Sequence, residues 1–309
     1  MKKKKILVTG VNGLIGKNLI RDPRSKNYIF IKPKKEILNL KNFNKTKKYL
    51  NRIKPDIILH LAAHVGGIQY NINNQKEMLI DNYEISKNLI KAASDLKIKK
   101  LINISSSCVY PKNKNNYKES DLMKGEFENT NIGYAMAKAF ATKYCEFINL
   151  ESNFKYITLV PCNLFGMYEK TEKEKSHMMI SAIKKISNAK NYSQKIVKIW
   201  GSGNNKREYM YVEDFVDFLY FTLKNFKKIP NIINVGTGID LKIKDYYYLI
   251  SKVLKHNIVL ISEKNKPEGQ KQKLLNISLL KKLGWKPKIG LKVGIKRTYN
   301  YFSKKNKFF

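Results

Sequence analysis

Tyr134 and Lys138 stand four residues apart at the head of a long apolar stretch with helical spacing, which sets both side chains on one face of a helix. An ammonium beside a phenol favours the phenolate, so the pair is expected to bring the tyrosine pKa down from ~10 toward the working range. A tyrosine in that position passes a proton to or from a carbonyl oxygen. Upstream, Ser105, Ser106, Ser107 and Cys108 directly follow the apolar run Leu101–Ile104. A serine hydroxyl there supplies the same carbonyl with a second hydrogen bond. The tyrosine–lysine spacing alone means little in a chain so rich in lysine. Joined to the serine run and to the glycines described next, it specifies a site for carbonyl chemistry.

The stretch Thr9–Gly16 reads TGVNGLIG, with Gly10, Gly13 and Gly16 following the run Lys5–Val8 and opening a helix. Glycines at this spacing allow a tight turn, close approach of backbone to a pyrophosphate, and close helix–strand packing. The helix N-terminus offers N–H groups and a partial positive charge to the phosphates. An acidic residue at the end of the second strand would bond the ribose 2′-hydroxyl of NAD. Here the chain has Phe30, Ile31, Lys32, Pro33 and Lys34, and the cations Lys32 and Lys34 suit the 2′-phosphate of NADP instead.

Strand ends and helix starts must hold these groups. Strands are expected at Lys5–Val8, Tyr28–Ile31, Ile57–Leu61, Leu101–Ile104 and Tyr156–Val160. Helices are expected at Leu14–Ile20, Phe43–Ile53, Asn82–Ala93 and Tyr134–Leu150. Such alternation makes βαβ units and a parallel sheet with right-handed crossovers. The serine run then lies at the carboxyl end of the sheet, where open α/β folds bind ligands. Further on, helices are expected at His177–Ile186, Val212–Leu223 and Tyr246–Val253, and strands at Val197–Trp200 and Ile232–Val235. Glu263–Lys273 has no apolar side chain and reads as a surface loop. The expected fold class is α/β: a Rossmann-type doubly wound parallel sheet with a smaller C-terminal α/β substrate-binding lobe. Residues 1–165, completed by parts of 204–240, form the NADP-binding domain, and 166–309 mainly form the lobe.

A chain of 309 residues suits one large or two small domains, and 43% hydrophobic content suffices for a core. No run approaches ~18 consecutive apolar residues, so no membrane span is expected. The basic start Met1–Lys5 resembles the head of a signal peptide, but the ILVTG that follows is too short and carries a glycine. It reads as a buried first strand, and the protein is expected in the cytoplasm. Cys108, Cys145 and Cys162 lack paired spacing, so neither a disulfide framework nor a metal site is expected. The net charge of +37 invites a nucleic-acid reading. Base readout favours arginine, though, and the chain has only Arg21, Arg24, Arg52, Arg207 and Arg297. The excess is lysine spread along the whole length, which reads as solvated surface, and no specific nucleic-acid partner is expected. A non-catalytic NAD(P)-binding or RNA-binding protein is the rival class; the intact Tyr134–Lys138 pair argues against it.

The glycines, the Leu61–Ala63 run, Ser106, Tyr134 and Lys138 resemble the extended short-chain dehydrogenase/reductase family. Within it the chain is similar to the GDP-L-fucose synthase family through Leu61–Ile68 (LAAHVGGI), Ser106–Pro111 (SSCVYP), Thr130–Tyr134 (TNIGY), Pro161–Gly166 (PCNLFG), Ser176–His177, Trp200–Gly203 (WGSG), Arg207–Glu208 and Asn234–Gly238 (NVGTG). These run in order across nearly the whole chain. The resemblance implies epimerisation of GDP-4-keto-6-deoxy-mannose at carbons 3 and 5, then reduction of the 4-ketone with NADPH. It assigns Tyr134 as proton donor, Lys138 as its partner, Ser106 as hydrogen-bond donor to the ketone, and Cys108 and His177 as epimerisation base and acid. It directs Gly10, Asn12, Gly13, Gly16, Lys32, Lys34, Ala62, Tyr134, Lys138, Asn163 and His177 to the cofactor, and Lys185, Trp200, Arg207 and Lys273 to the GDP-sugar substrate. It also implies a homodimer through a helix bundle that includes Tyr134–Leu150. Four positions depart from the family's habit: His64 stands where a lysine is common, Lys184 and Lys185 where arginine is, and Asn12 where an arginine often supports the 2′-phosphate. Another nucleotide-sugar enzyme of this family, such as one forming GDP-L-colitose from a 3-deoxy substrate, fits the same residues.

Overall fold

A computed structural model describes residues 3–112, 114–172 and 176–305; Met1 and Lys2 of the basic start lie outside it. Up to Pro161 the chain forms strand and helix by turns. In order these are β1 (Lys5–Thr9), α1 (Leu14–Arg21), β2 (Ile29–Ile31), α2 (Phe43–Ile53), β3 (Ile57–His60), α3 (Ile68–Asn73), α4 (Gln75–Asp95), β4 (Lys100–Ile104), α5 (Ile132–Glu151) and β5 (Lys155–Pro161). The second part contributes β6 (Asn163–Phe165), α6 (Met178–Asn191), β7 (Ile196–Trp200), β8 (Lys206–Tyr211), α7 (Val212–Lys224), β9 (Ile232–Val235), β10 (Asp240–Lys242), α8 (Ile243–Leu254), β11 (Val259–Glu263), β12 (Gln272–Lys273), α9 (Ser278–Lys282) and α10 (Leu291–Ser303).

Six strands make one parallel sheet in the order β2-β1-β3-β4-β5-β9. Successive strand side chains point to opposite faces. Ile6, Val8, Ile57, Leu59, Ile102, Ile157 and Leu159 enter one core, which Phe215, Phe218 and Leu219 of α7 close. Leu7, Ile58, Leu101 and Tyr156 enter the other, against Leu50 of α2, Leu89 and Ala93 of α4, and Cys145 and Ile148 of α5. A sheet buried on both faces explains why these strands read as unbroken apolar runs.

The later elements surround a third core, where Met179, Ile183 and Ile186 of α6 meet Tyr246 and Ile250 of α8 and Ile295 of α10. Their sheets are small. β8 is flanked by antiparallel β10 and parallel β12, and its far end pairs with β6. β7 and β11 form a parallel pair. The expected surface loop Glu263–Lys273 is therefore only partly loop. Glu263 ends β11, and Gln272–Lys273 pair with Lys206–Arg207 of β8. Two polar residues become a strand there because a neighbouring strand offers them partners. No described helix is long and apolar enough to cross a membrane.

Candidate active site

Gly10 sits at φ +68°, and a Cβ on it would lie 2.6 Å from the backbone nitrogen of Ala62. Only glycine lets the turn after β1 lie this close to the end of β3. The seam is tied by Thr9, whose hydroxyl meets Nδ1 of His60 at 2.9 Å and accepts the Ala62 N–H at 3.2 Å. Gly13 caps α1 and no side chain closes that helix end. The exposed Asn12 and Gly13 thus border helix N–H groups suited to a pyrophosphate. Lys32 and Lys34 lie exposed just beyond β2. These residues fit a dinucleotide with a 2′-phosphate. The deeper end of the seam is dry: His60 is fully buried, and burial pushes its pKa down to about 3.

At the end of β4, Ser105 still bonds Leu159 across the sheet, and Ser106 then caps a short turn over Ser107–Val109. The turn buries Cys108 to 3% exposure. The Ser106 hydroxyl accepts the Cys108 N–H at 3.4 Å. Beyond it, Tyr110 donates to Asn234 Oδ1 at 2.6 Å and stacks on Tyr117. α5 approaches from the side. A Cβ on Gly133 would lie 2.2 Å from the Gln75 carbonyl oxygen, so a glycine before Tyr134 is what lets α5 start against α4. Lys138, 3% exposed, donates to the Ile104 carbonyl at 2.8 Å, and its ammonium lies 5.7 Å from the Tyr134 ring centroid. Burial pulls the lysine down to about 8, against the pull of a Cys108 thiolate. Burial also pushes Tyr134 well above the ordinary phenol range, with the Cys108 charge adding to it. The phenolate expected from the spacing is therefore not what this site favours. Desolvation is the largest influence on the tyrosine and favours its neutral form.

Burial likewise raises the Cys108 thiol. Lys273, the Ser106 hydrogen bond and Lys138 work the other way. Lys273 reaches this position through β12, opposite Arg207 of β8. The Arg207 guanidinium donates to the carbonyls of Gln270 at 2.7 Å, Lys206 at 2.8 Å and Glu268 at 3.2 Å, rather than to a carboxylate. Lys185 donates to the Lys198 carbonyl, and Lys266 stands over the Trp200 ring. Asn163 donates to the Glu208 carbonyl at 2.9 Å.

Two carboxylates here escape the sequence reading as site components. Glu208, 1% exposed, accepts the N–H groups of Thr237 and Gly238 on one oxygen and of Leu275 on the other. It holds the NVGTG loop, β8 and the end of β12 together. Glu169 is 7% exposed and lies 3.1 Å from Nδ1 of His177. It follows a tight turn with Gly166 at φ +148° and Tyr168 at φ +72°. A left-handed tyrosine costs ~1–2 kcal/mol, and supports from α1 offset this. Asn18 donates to the Met167 carbonyl at 2.9 Å, and Arg21 to the Tyr168 hydroxyl at 2.8 Å. His177 precedes α6 as its N-cap residue, with a side chain 46% exposed. No spacing rule links positions 169 and 177, so only the folded chain reveals the pair.

A family model described as the NAD dependent epimerase/dehydratase family matches residues 6–236. A GDP-L-colitose synthase of Yersinia pseudotuberculosis is 44% identical over 300 residues, covering 96% of this chain and 97% of that protein. A GDP-L-fucose synthase of Azorhizobium caulinodans is 37% identical over 302 residues, covering 97% of each. Among solved structures, a GDP-mannoheptose C4 reductase from Campylobacter jejuni with NADP bound superposes with a TM-score of 0.87 at 28% identity, covering 98% of this chain and 99% of that one.

Proposed function

The chain belongs to the NAD dependent epimerase/dehydratase family, and we propose that it is a bifunctional 3,5-epimerase and NADPH-dependent 4-reductase converting GDP-4-keto-6-deoxy-mannose to GDP-L-fucose. The observation that carries this reading is Cys108. A plain reductase needs Ser106, Tyr134 and Lys138. Here a buried thiol stands close enough for its charge to act on both the tyrosine and the lysine.

Residues 1–165 with parts of 204–240 would hold NADPH through Gly10, Asn12, Gly13, Gly16, Ala62 and Asn163, with Lys32 and Lys34 at the 2′-phosphate. When bound, NADPH supplies the hydride that reduces carbon 4. Residues 166–309 would hold the GDP-sugar, with Lys185, Trp200, Arg207 and Lys273 toward the nucleotide and diphosphate. The three carbonyls on Arg207 fix its fork without neutralising it, which suits an anion. Ser106 and Tyr134 hydrogen-bond the 4-keto oxygen and so acidify the protons on carbons 3 and 5. Cys108, as thiolate, takes such a proton. His177 returns one to the opposite face of the enolate. In the reduction, Tyr134 gives its proton to the carbon-4 oxygen, and a phenol of raised pKa holds that proton until the oxygen becomes strongly basic. A homodimer through α4 and α5 fits the exposed Ile80, Met136, Phe147 and Leu150 on those helices.

A second reading is favoured by the higher identity to the colitose synthase. In it the substrate is the 3-deoxy ketone, and only carbon 5 is inverted. Both readings use the same residues. Purified enzyme with NADPH and each keto-sugar in turn, followed at 340 nm with the product sugar identified, decides between them. GDP-L-fucose from the first substrate is the expected result. Turnover of the 3-deoxy ketone alone establishes the second reading, and oxidation of NADPH by neither refutes both.

A further inference from the structure

His177 is surrounded by influences that oppose its cationic form. Partial desolvation of the ring disfavours the charge, as does the ammonium of Lys170. The N-terminus of α6, at which His177 is the cap residue, carries a partial positive charge and adds to this. A histidine so placed would lose its proton early and make a poor acid. One group acts the other way: Glu169, whose Oε1 lies 3.1 Å from Nδ1. The bond and charge of Glu169 outweigh the rest, and the histidine pKa lies above its ordinary value.

Glu169 has little other work. Its second oxygen, Oε2, is buried with no hydrogen-bond partner among the described residues. Of the groups facing it, Tyr209 of β8 is a neutral phenol raised well above its ordinary range by burial. A buried carboxylate with one oxygen on a histidine and the other unbonded is costly unless the histidine is charged. The turn that carries it is held by Asn18 and Arg21 of α1, so its position is set by the helix that follows the glycine loop.

We propose that Glu169 is the positioning residue of the epimerisation acid: it accepts the hydrogen bond of the His177 Nδ1–H, fixes the ring so that Nε2 is the donating atom, and stabilises the protonated ring. This rests on the reading of His177 as the acid given above. The balance is simple. The Nε2–H bond breaks as the new C–H bond forms on the enolate, the imidazolium becomes a neutral imidazole whose retained Nδ1–H still donates to Glu169, and solvent reprotonates Nε2.

The test separates this proposal from that reading. The chain has four histidines, so carbon-13 histidine labelling gives a resolvable set, with the His177 signal assigned by its loss in His177→Asn. In the free enzyme His177 should titrate above ~6.5, and in Glu169→Gln it should titrate at least about one unit lower, as expected on losing an opposite charge at hydrogen-bond distance. Equal titration in the two proteins overturns the proposal. With the keto-sugar and heavy water, the alkaline limb of proton exchange at carbons 3 and 5 should move down by the same interval. Glu169→Asp, which keeps the charge, should restore most of it. Exchange that falls equally at every pH and is not rescued by aspartate would mark a structural role and overturn the proposal. If wild-type enzyme exchanges no protons, the epimerase reading has failed, while the free-enzyme titration still decides whether Glu169 holds the His177 proton.

Discussion

Cys108 and His177 sit in opposite surroundings. The thiol is 3% exposed just past the end of β4, with the cations Lys273 and Lys138 near enough to favour its charged form. The imidazole is 46% exposed at the start of α6, with one carboxylate beside it. A base must come to carry negative charge and an acid must come to lose positive charge. Each has a neighbour of the sign that stabilises its charged state, but burial treats them unequally. It dominates at the cysteine, whose pKa stays raised, and is overcome at the histidine. The base is the harder end to build, because its charged form exists only where water has been displaced.

That comparison can be broken most sharply by removing the base and the reductive donor separately. Cys108→Ser replaces a thiol with a hydroxyl that hardly ionises near neutrality. It should lose heavy-water exchange at carbons 3 and 5 by ~10²-fold or more, the usual weight of a general base. Tyr134→Phe should still exchange those protons, more slowly, and fail to oxidise NADPH. Wild-type exchange in Cys108→Ser would remove the base from the scheme. A smaller effect tests the cations. Lys273→Met should push the Cys108 thiol further up and slow exchange by ~10-fold, about one unit of lost charge stabilisation. The rate of iodoacetamide alkylation against pH reads the thiol directly, and the His177 titration should stay where it is. An alkylation profile identical to wild type would leave Lys273 with the substrate alone.

The smallest effect comes from a third titrating group, which sharpens what Glu169 adds. His60 is buried like Cys108, bonded to the neutral hydroxyls of Thr9 and Ser86, and stays neutral down to about 3. Its folded pKa lies below the unfolded value of ~6.5. Between the two the unfolded chain binds the extra proton, so stability is full above ~6.5 and falls as pH drops toward 3. At one unit below the unfolded value the loss is ~1.4 kcal/mol, or ~2–4 °C in melting temperature for a chain of this size. Melting curves at pH 7 and 5.5 should show a loss of this sign at the lower pH. His60→Asn should flatten the difference, and an unchanged difference would assign the acid sensitivity elsewhere.

The comparison also explains what could be read in advance. The parallel sheet was legible because each of its inner strands is buried on both faces and must be apolar throughout; Phe43–Ile53 was legible as a helix by its spacing and is α2. The glycine loop, Ser106 and Cys108 follow strands of this regular part, and Tyr134 and Lys138 lie in the first two turns of α5. β8 was not legible, since its first residues Lys206, Arg207 and Glu208 look like surface and are ordered by strands on both sides. β12 hid in a charged stretch for the same reason. Tyr134 and Lys138 were legible as neighbours on α5, but spacing reports a nearby ammonium and not the burial that raises the phenol. Glu169 could not be found at all, since its meaning depends on a turn that returns the chain to α1.

Glu208 has a consequence for the order of events on the ribosome. Its partner Leu275 lies 67 residues further along the chain. A nascent chain that has emerged as far as Gly238, just past β9, already owns every strand of the large sheet, together with Ser106, Cys108, Tyr134, Lys138 and His177. It lacks the third N–H of the Glu208 clasp, and with it the strand that brings Lys273 to the thiol. Contacts so distant in sequence form late, after shorter loops have closed. The nucleotide cradle can thus be complete while Cys108 still lacks the charge of Lys273. Translation of the last few dozen residues is then the step that adds this cation to the thiol.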